Sequence, residues 1–172
     1  MISQTDIVTD IATHTEASSR TGETTQSRIR AAMEELLHSS DHFIVDVAVR
    51  GRSGSIVVEV YLDGDDGIGI RDLAAYSREL GFVLEAEDVI RGKYHLNVSS
   101  PGEERSLVLP RQYPRHKGRM LEVVVGEGDA AEALEGKHAG MDDDGRLILE
   151  TAKETRKVDL SSISRARIKL PW

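Results

Sequence analysis

The chain has 172 residues, of which 39% are hydrophobic, 30% charged and only 4% aromatic, with a formal net charge of −8 at pH 7. That size suits one or two small domains whose cores rest on Val, Leu, Ile and Ala. Cysteine is absent, which excludes disulfides, thiolate metal sites and cysteine nucleophiles. No apolar run approaches the roughly 18 residues a membrane span needs, and the N-terminus lacks the basic-then-apolar order of a secretory signal. A cytoplasmic protein with no membrane contact is expected.

The charge is uneven. Residues 1–100 hold 9 basic and 17 acidic side chains and so carry the whole −8, whereas residues 101–172 hold 13 of each. Within the neutral half, residues 105–121 contain Arg105, Arg111, Arg115, Lys117 and Arg119 with no acid. An acidic body repels bare phosphate backbone and attracts basic proteins, although acidity also serves plain solubility.

In chain order, residues 1–25 are Thr- and Ser-rich without sustained period, and read as a disordered leader. Ile29, Met33, Leu36 and Leu37 mark one face of a helix from about Gln26 to Ser39, with Thr24 or Thr25 available as cap. Phe43, Val45, Val47 and Val49 alternate as a strand, and Ile56, Val58, Val60 and Leu62 repeat the pattern. Gly51-Arg52-Ser53-Gly54 supplies the hairpin turn between them. An acidic, glycine-rich loop at Asp63–Gly69 leads into a second helix, about Arg71 to Leu84, with Leu73, Ser77, Leu80 and Leu84 inward. Tyr94, Leu96 and Val98 make a third strand. The order αββαβ over residues 26–100 predicts a small sheet with both helices on one face.

Ser99-Ser100-Pro101-Gly102 breaks this pattern and opens a linker, residues 101–117. The remainder, 118–172, is β-patterned: Met120–Val125, Lys137–Met141, Arg146–Thr151, Arg156–Leu160 and Ala166–Leu170. One helical turn at Leu160–Ile163 precedes the last strand, and the whole suggests a small barrel. The predicted fold class is α+β: an αββαβ, KH-like N-terminal domain followed by an all-β SH3-like or Sm-like barrel.

Chemistry-bearing motifs are sparse. Asp63-Gly64-Asp65-Asp66-Gly67 invites a calcium reading, but from Asp63 the glycine and glutamate positions of such a loop fall on Ile68 and Ala74, so the register fails. Gly51–Gly54 joins strands and Gly64–Gly67 holds two aspartates, so neither suits a phosphate clamp. There is no Gly-x-Ser-x-Gly elbow for Ser99 or Ser100. His95 alternates with Tyr94 and Leu96 as the solvent side of a strand, and no His-x-x-x-His spacing suggests metal. No catalytic residue, metal or cofactor is expected. Tyr113 among the arginines could stack on a base, or simply anchor the linker.

The segment Ser99-Ser100-Pro101-Gly102-Glu103-Glu104-Arg105-Ser106-Leu107 resembles the junction motif of the ribosome maturation factor RimP family, whose usual form is Ser-Ser-Pro-Gly-x-Asp-Arg-Pro-Leu. Tyr113-x-Arg115-x-x-Gly118 is similar to the family's entry into its second domain. Val58–Asp63, Gly67-Ile68, Asp72-Leu73-Ala74, Ser77-Arg78 and Leu80 resemble its strand, glycine loop and second helix. Glu104 stands where the family has aspartate, and Ser106 where it has proline. The resemblance covers residues 26–170 and implies binding to the immature small ribosomal subunit, assisting incorporation of ribosomal protein twelve, with possible contact to ribosomal RNA. That ribosomal protein is strongly basic, which suits the acidic first hundred residues.

Pro101 and Gly102 are then expected to turn the chain out of the first domain, with Glu104 and Arg105 pairing at the junction and Leu107 completing the motif. Asp65, Asp66, Arg111, Arg115 and Lys117 are the candidate partner contacts. An RNA-binding regulator acting through the basic linker and the Sm-like barrel is the alternative, and a small hydrolase a third reading without a supporting base.

Overall fold

A computed structural model describes residues 24–52, 54–103 and 105–170 of the chain. The expected leader lies outside these residues, except that Thr24 and Thr25 are already helical. The first helix, α1, therefore runs over 24–37, and its N-terminal cap is not at either threonine. Ile29, Met33 and Leu37 recur every four residues and are buried, as an amphipathic helix requires. Strands β1 (His42–Arg50) and β2 (Ile56–Gly64) follow, then helix α2 (Ile70–Ala86) and strand β3 (Tyr94–Ser99). The sheet order is β1-β2-β3. Strands β2 and β3 are parallel, with Val58 opposite Leu96 and Val60 opposite Val98.

This register explains which face is covered. Val58 and Val60 are fully buried, whereas the opposite face carries Arg50 and Glu59 as a 3.4 Å ion pair, with the Tyr61 hydroxyl donating to Glu59. Only one face of the sheet is apolar, and the helices bury their stripes there. On α2 the buried residues are Leu80 and Leu84, and Gly81 lies over Leu96. Helix α2 extends to Ala86, and the following Val89 and Ile90 are buried too, with the Val89 N–H returning to the Leu84 carbonyl at 3.0 Å. These two have no helical or alternating partners in sequence, which is why periodicity did not mark them.

The second half holds five antiparallel strands: β4 (Met120–Val125), β5 (Glu132–Met141), β6 (Leu147–Thr151), β7 (Thr155–Val158) and β8 (Ile163–Ile168). Their order is β7-β6-β5-β4-β8, so a meander is completed by the last strand pairing with the first. The fold is α+β, with a helix–strand–strand–helix–strand region followed by a five-stranded antiparallel sheet compatible with the expected barrel. The single turn at Leu160–Ser162 precedes β8, capped by the Asp159 carboxylate accepting from the Ser161 N–H. Two strands begin several residues earlier than expected, while β7 and β8 each end two residues short. β5 begins at Glu132 because Val125 pairs with it, although Glu-Ala-Leu-Glu gives no alternating signal. β8 begins at Ile163 because a bulge at Val124/Val125 shifts the register and recovers three more residues.

The chain divides into two units. One takes the described residues up to 40, with 46–61 and 69–99; the other takes 41–45, 62–68 and everything from 100 onward. The start of β1 and the end of β2 thus belong with the second unit. Its core gathers Leu107, Tyr113, Leu121, Val123, Leu147, Leu149, Val158, Ala166 and Ile168. Complete burial of side chains such as Leu121 and Leu147 contributes about 2 kcal/mol each. No helix among the described residues is long and apolar enough to cross a membrane.

Candidate functional site

The polar features singled out by sequence converge inside the second unit. Pro110 and Pro114 each open a one-turn 3₁₀ helix, Pro110–Gln112 and Pro114–His116, because proline's fixed φ suits a first helical position. The tandem turns present Arg111, Gln112, Arg115 and His116 in close succession. Facing them is Asp63, the penultimate residue of β2, only 1% exposed.

A carboxylate that deeply buried must be satisfied by charge and hydrogen bonds. Asp63 Oδ1 accepts from the Gly64 N–H at 2.9 Å and from Arg115 Nη1, and Oδ2 accepts from Gln112 Nε2 at 3.0 Å. Arg115 Nη1 also donates to the Gly64 carbonyl at 3.1 Å. Buried Gln112 is held in turn, its Oε1 accepting from the Val108 and Leu109 N–H groups at 2.9 and 3.1 Å. Gly64 has no room for a side chain, since a Cβ there would press on the Gly67 carbonyl and lie 2.8 Å from His42 Cδ2.

Two further arginines of the basic run are fixed in the same way. Arg111 donates to both oxygens of Asp65, at 2.7 and 2.8 Å, and its guanidinium lies 4.6 Å over the Phe43 ring. Arg119 forks onto Glu103, with Nη2 donating to Oε2 at 3.1 Å and Nη1 to Oε1. The paired guanidiniums hold the Asp65 and Glu103 carboxyls below the usual carboxylate range.

Two histidines anchor this segment. His116 is buried beside Arg115, whose Nε donates to its Nε2 at 3.0 Å. Burial first, and the flanking Arg115 and Arg119 charges second, lower its pKa from 6.5 to about 4, so the ring is neutral. His138 on β5 is fully buried: the Gly140 N–H donates to its Nδ1 at 3.0 Å, which leaves Nε2 to donate to the Tyr113 carbonyl at 2.9 Å. Burial lowers the His138 pKa as well. Tyr113 packs edge-on to that ring, 6.4 Å between centroids, and burial raises its phenol to about 12. Tyr113 is thus an anchor in a core, its ring 4% exposed, and is not positioned for stacking on a base.

The junction residues divide. Ser99 ends β3, paired with Tyr61. Ser100 is exposed, Pro101 and Arg105 are half-buried, and Gly102 holds φ +71°, the left-handed region that favours glycine. Leu107 is buried and its N–H donates to the Ala166 carbonyl at 2.8 Å, tying the motif to β8. Glu104, and with it the expected pairing to Arg105, lies outside the described residues. Asp66 is exposed at the rim of a shallow groove of about 520 Å³, walled by Arg115, His116 and Arg119. Lys117 is exposed, without an ion pair among the described residues.

Asp63, Glu103, Gln112, His116, Arg119 and His138 were not among the candidate partner or junction contacts read from the sequence. Strand parity places Asp63 opposite Leu62, on the open face; it is buried because the 108–115 segment covers that side. Two of the acidic loop's three carboxylates find counter-charges within the chain, Asp63 on Arg115 and Asp65 on Arg111.

An αββαβ unit followed by a five-stranded antiparallel sheet, with its polar clusters spent on internal struts, defines a class of small two-unit α+β proteins. Residues 32–104 match the family model of the RimP N-terminal domain. The chain thus carries a domain of the RimP family of ribosome maturation factors.

Proposed function

We propose that this chain binds the immature small ribosomal subunit together with a basic ribosomal protein, in the cytoplasm and without catalytic turnover. The observation that carries the reading is the RimP N-terminal domain at residues 32–104. It is supported by the −8 charge held in residues 1–100, which attracts a cationic protein and disfavours bare phosphate around that half. The basic run is not the preferred route to RNA, because Arg111, Arg115 and Arg119 each hold a carboxylate of the same unit.

Co-sedimentation with small subunits, large subunits and assembled ribosomes over a salt series tests this. Selective binding to free or immature small subunits is expected. Equal binding to all three particles, or none at low salt, overturns it.

A further inference from the structure

Apart from half-buried Arg105, the arginines of the second unit fall into two groups. Arg111, Arg115, Arg119, Arg146 and Arg156 are ion-paired within the unit. Arg165 and Arg167, two residues apart on β8, are exposed and have no ion pair among the described residues.

Their direction follows from the register. Val123 pairs with Ala166 and Leu121 with Ile168, and all four are buried in the core. Glu122 opposite Arg167 and Val124 opposite Arg165 therefore face away from it. On β5 the same outward face carries Ala133, Glu135 and Lys137, which pair with Val124, Glu122 and Met120. Lys169 follows just past the strand and donates to Glu135 at 2.7 Å. The face thus holds four cations against two carboxylates, and one of those carboxylates is already matched. On this face lies a depression of about 340 Å³, lined by Val124 and Ala133, by Arg165 and Arg167 and by Glu122 and Glu135.

Unpaired guanidiniums at the edge of a sheet suit the oxygens of a phosphate backbone, which they engage in a planar fork. Neighbours as small as Val124 and Ala133 leave a sugar–phosphate strand room to approach. We propose that the outward face of β8, β4 and β5 is the surface through which this chain meets RNA backbone, with Arg165 and Arg167 as its principal contacts. The inference rests on the small-subunit reading for the source of that RNA and names the surface it leaves open. The phosphate-binding cations are then not those of the basic run but a pair from the far end of the chain.

The experiment titrates small subunits with the full chain, with Arg165→Ala/Arg167→Ala, and with the charge-keeping Arg165→Lys/Arg167→Lys. Lys153→Ala, which removes an exposed cation from the β6–β7 turn, serves as control. A salt series gives the slope of log affinity against log salt. Loss of two phosphate contacts should weaken binding about tenfold and lower that slope by about 1.5 to 2. The lysine pair should keep most of both, and Lys153→Ala should match the unaltered chain.

Unchanged affinity and slope for the alanine pair overturn the proposal. If the unaltered chain does not bind small subunits, the function proposed above fails instead, and a structured RNA hairpin at low salt decides the surface alone. Hairpin binding lost with the alanine pair upholds the face; absent binding, or binding indifferent to the pair, rejects it.

Discussion

Two basic regions of the second unit look alike as composition and differ as structure. The run 105–119 has five cations and no acid, yet Arg111, Arg115 and Arg119 are matched by Asp65, Asp63 and Glu103. Strand β8 has only Arg165 and Arg167, spaced by one residue, and both are unpaired among the described residues. The difference teaches that a charge run in sequence measures what a chain contains, whereas partners meet only what the fold leaves unspent. The carboxylates that neutralise the run lie 46, 52 and 16 residues away, so no local window could reveal them.

The contrast breaks first at Arg115. Replacement by alanine leaves the Asp63 carboxylate buried without its cation, and unfolding free energy should fall by about 4 kcal/mol in urea or thermal denaturation. Arg165→Ala, by comparison, should stay within about 0.5 kcal/mol of the unaltered chain. If the two arginines prove equally dispensable to stability, the division into struts and contacts is wrong.

Acid should act next. The folded pKa of His116, about 4, lies below its ordinary 6.5, so the unfolded chain binds the proton more readily. Stability from this group is complete above pH 6.5 and declines as pH falls toward 4, by up to about 3 kcal/mol. His138 contributes in the same direction. Denaturation midpoints measured across that window should show the decline, and His116→Asn should remove its share of the slope.

Gly64→Ala should cost about 2 kcal/mol, since its Cβ meets backbone that cannot yield without displacing the 63–67 loop. Asp65→Ala should cost little stability, because the pair with Arg111 is exposed on both sides. It sharpens the comparison differently: the freed Arg111 should raise affinity for an RNA hairpin about twofold to threefold at low salt. No gain would mean that its stacking on Phe43 suffices to withhold it.

Much of the architecture was legible in the residues. Alternation along 43–49 and 56–62 and the four-residue recurrence of Ile29, Met33 and Leu37 report simple packing on one face. The turn before β8 was readable from Leu160-Ser161-Ser162. Beginnings of strands were less so: Glu132 and Ile163 enter theirs because of what lies opposite, which is a property of the partner strand. Of the candidate site, the junction stood out by resemblance, and the basic run by composition. What stayed hidden was function by pairing. Asp63 reads as an outward loop acid and is a buried centre of attachment; Arg115 and Arg111 read as partner contacts and are tied within their own unit.

The hydrogen bond from Leu107 to Ala166, and the place of β8 beside β4, also bear on how the chain is made. The first strand of the five-stranded sheet cannot acquire its second neighbour until residue 168 has been synthesised and released from the exit tunnel. Until then Leu121 and Val123 lack one side of their core, and the 105–119 segment lacks the strand that holds Leu107. The second unit is therefore completed late and nearly all at once, whereas the first unit has its helices and strands by residue 99. A released fragment ending near residue 150 should be protease-sensitive over residues 105–150, with residues 24–40, 46–61 and 69–99 protected.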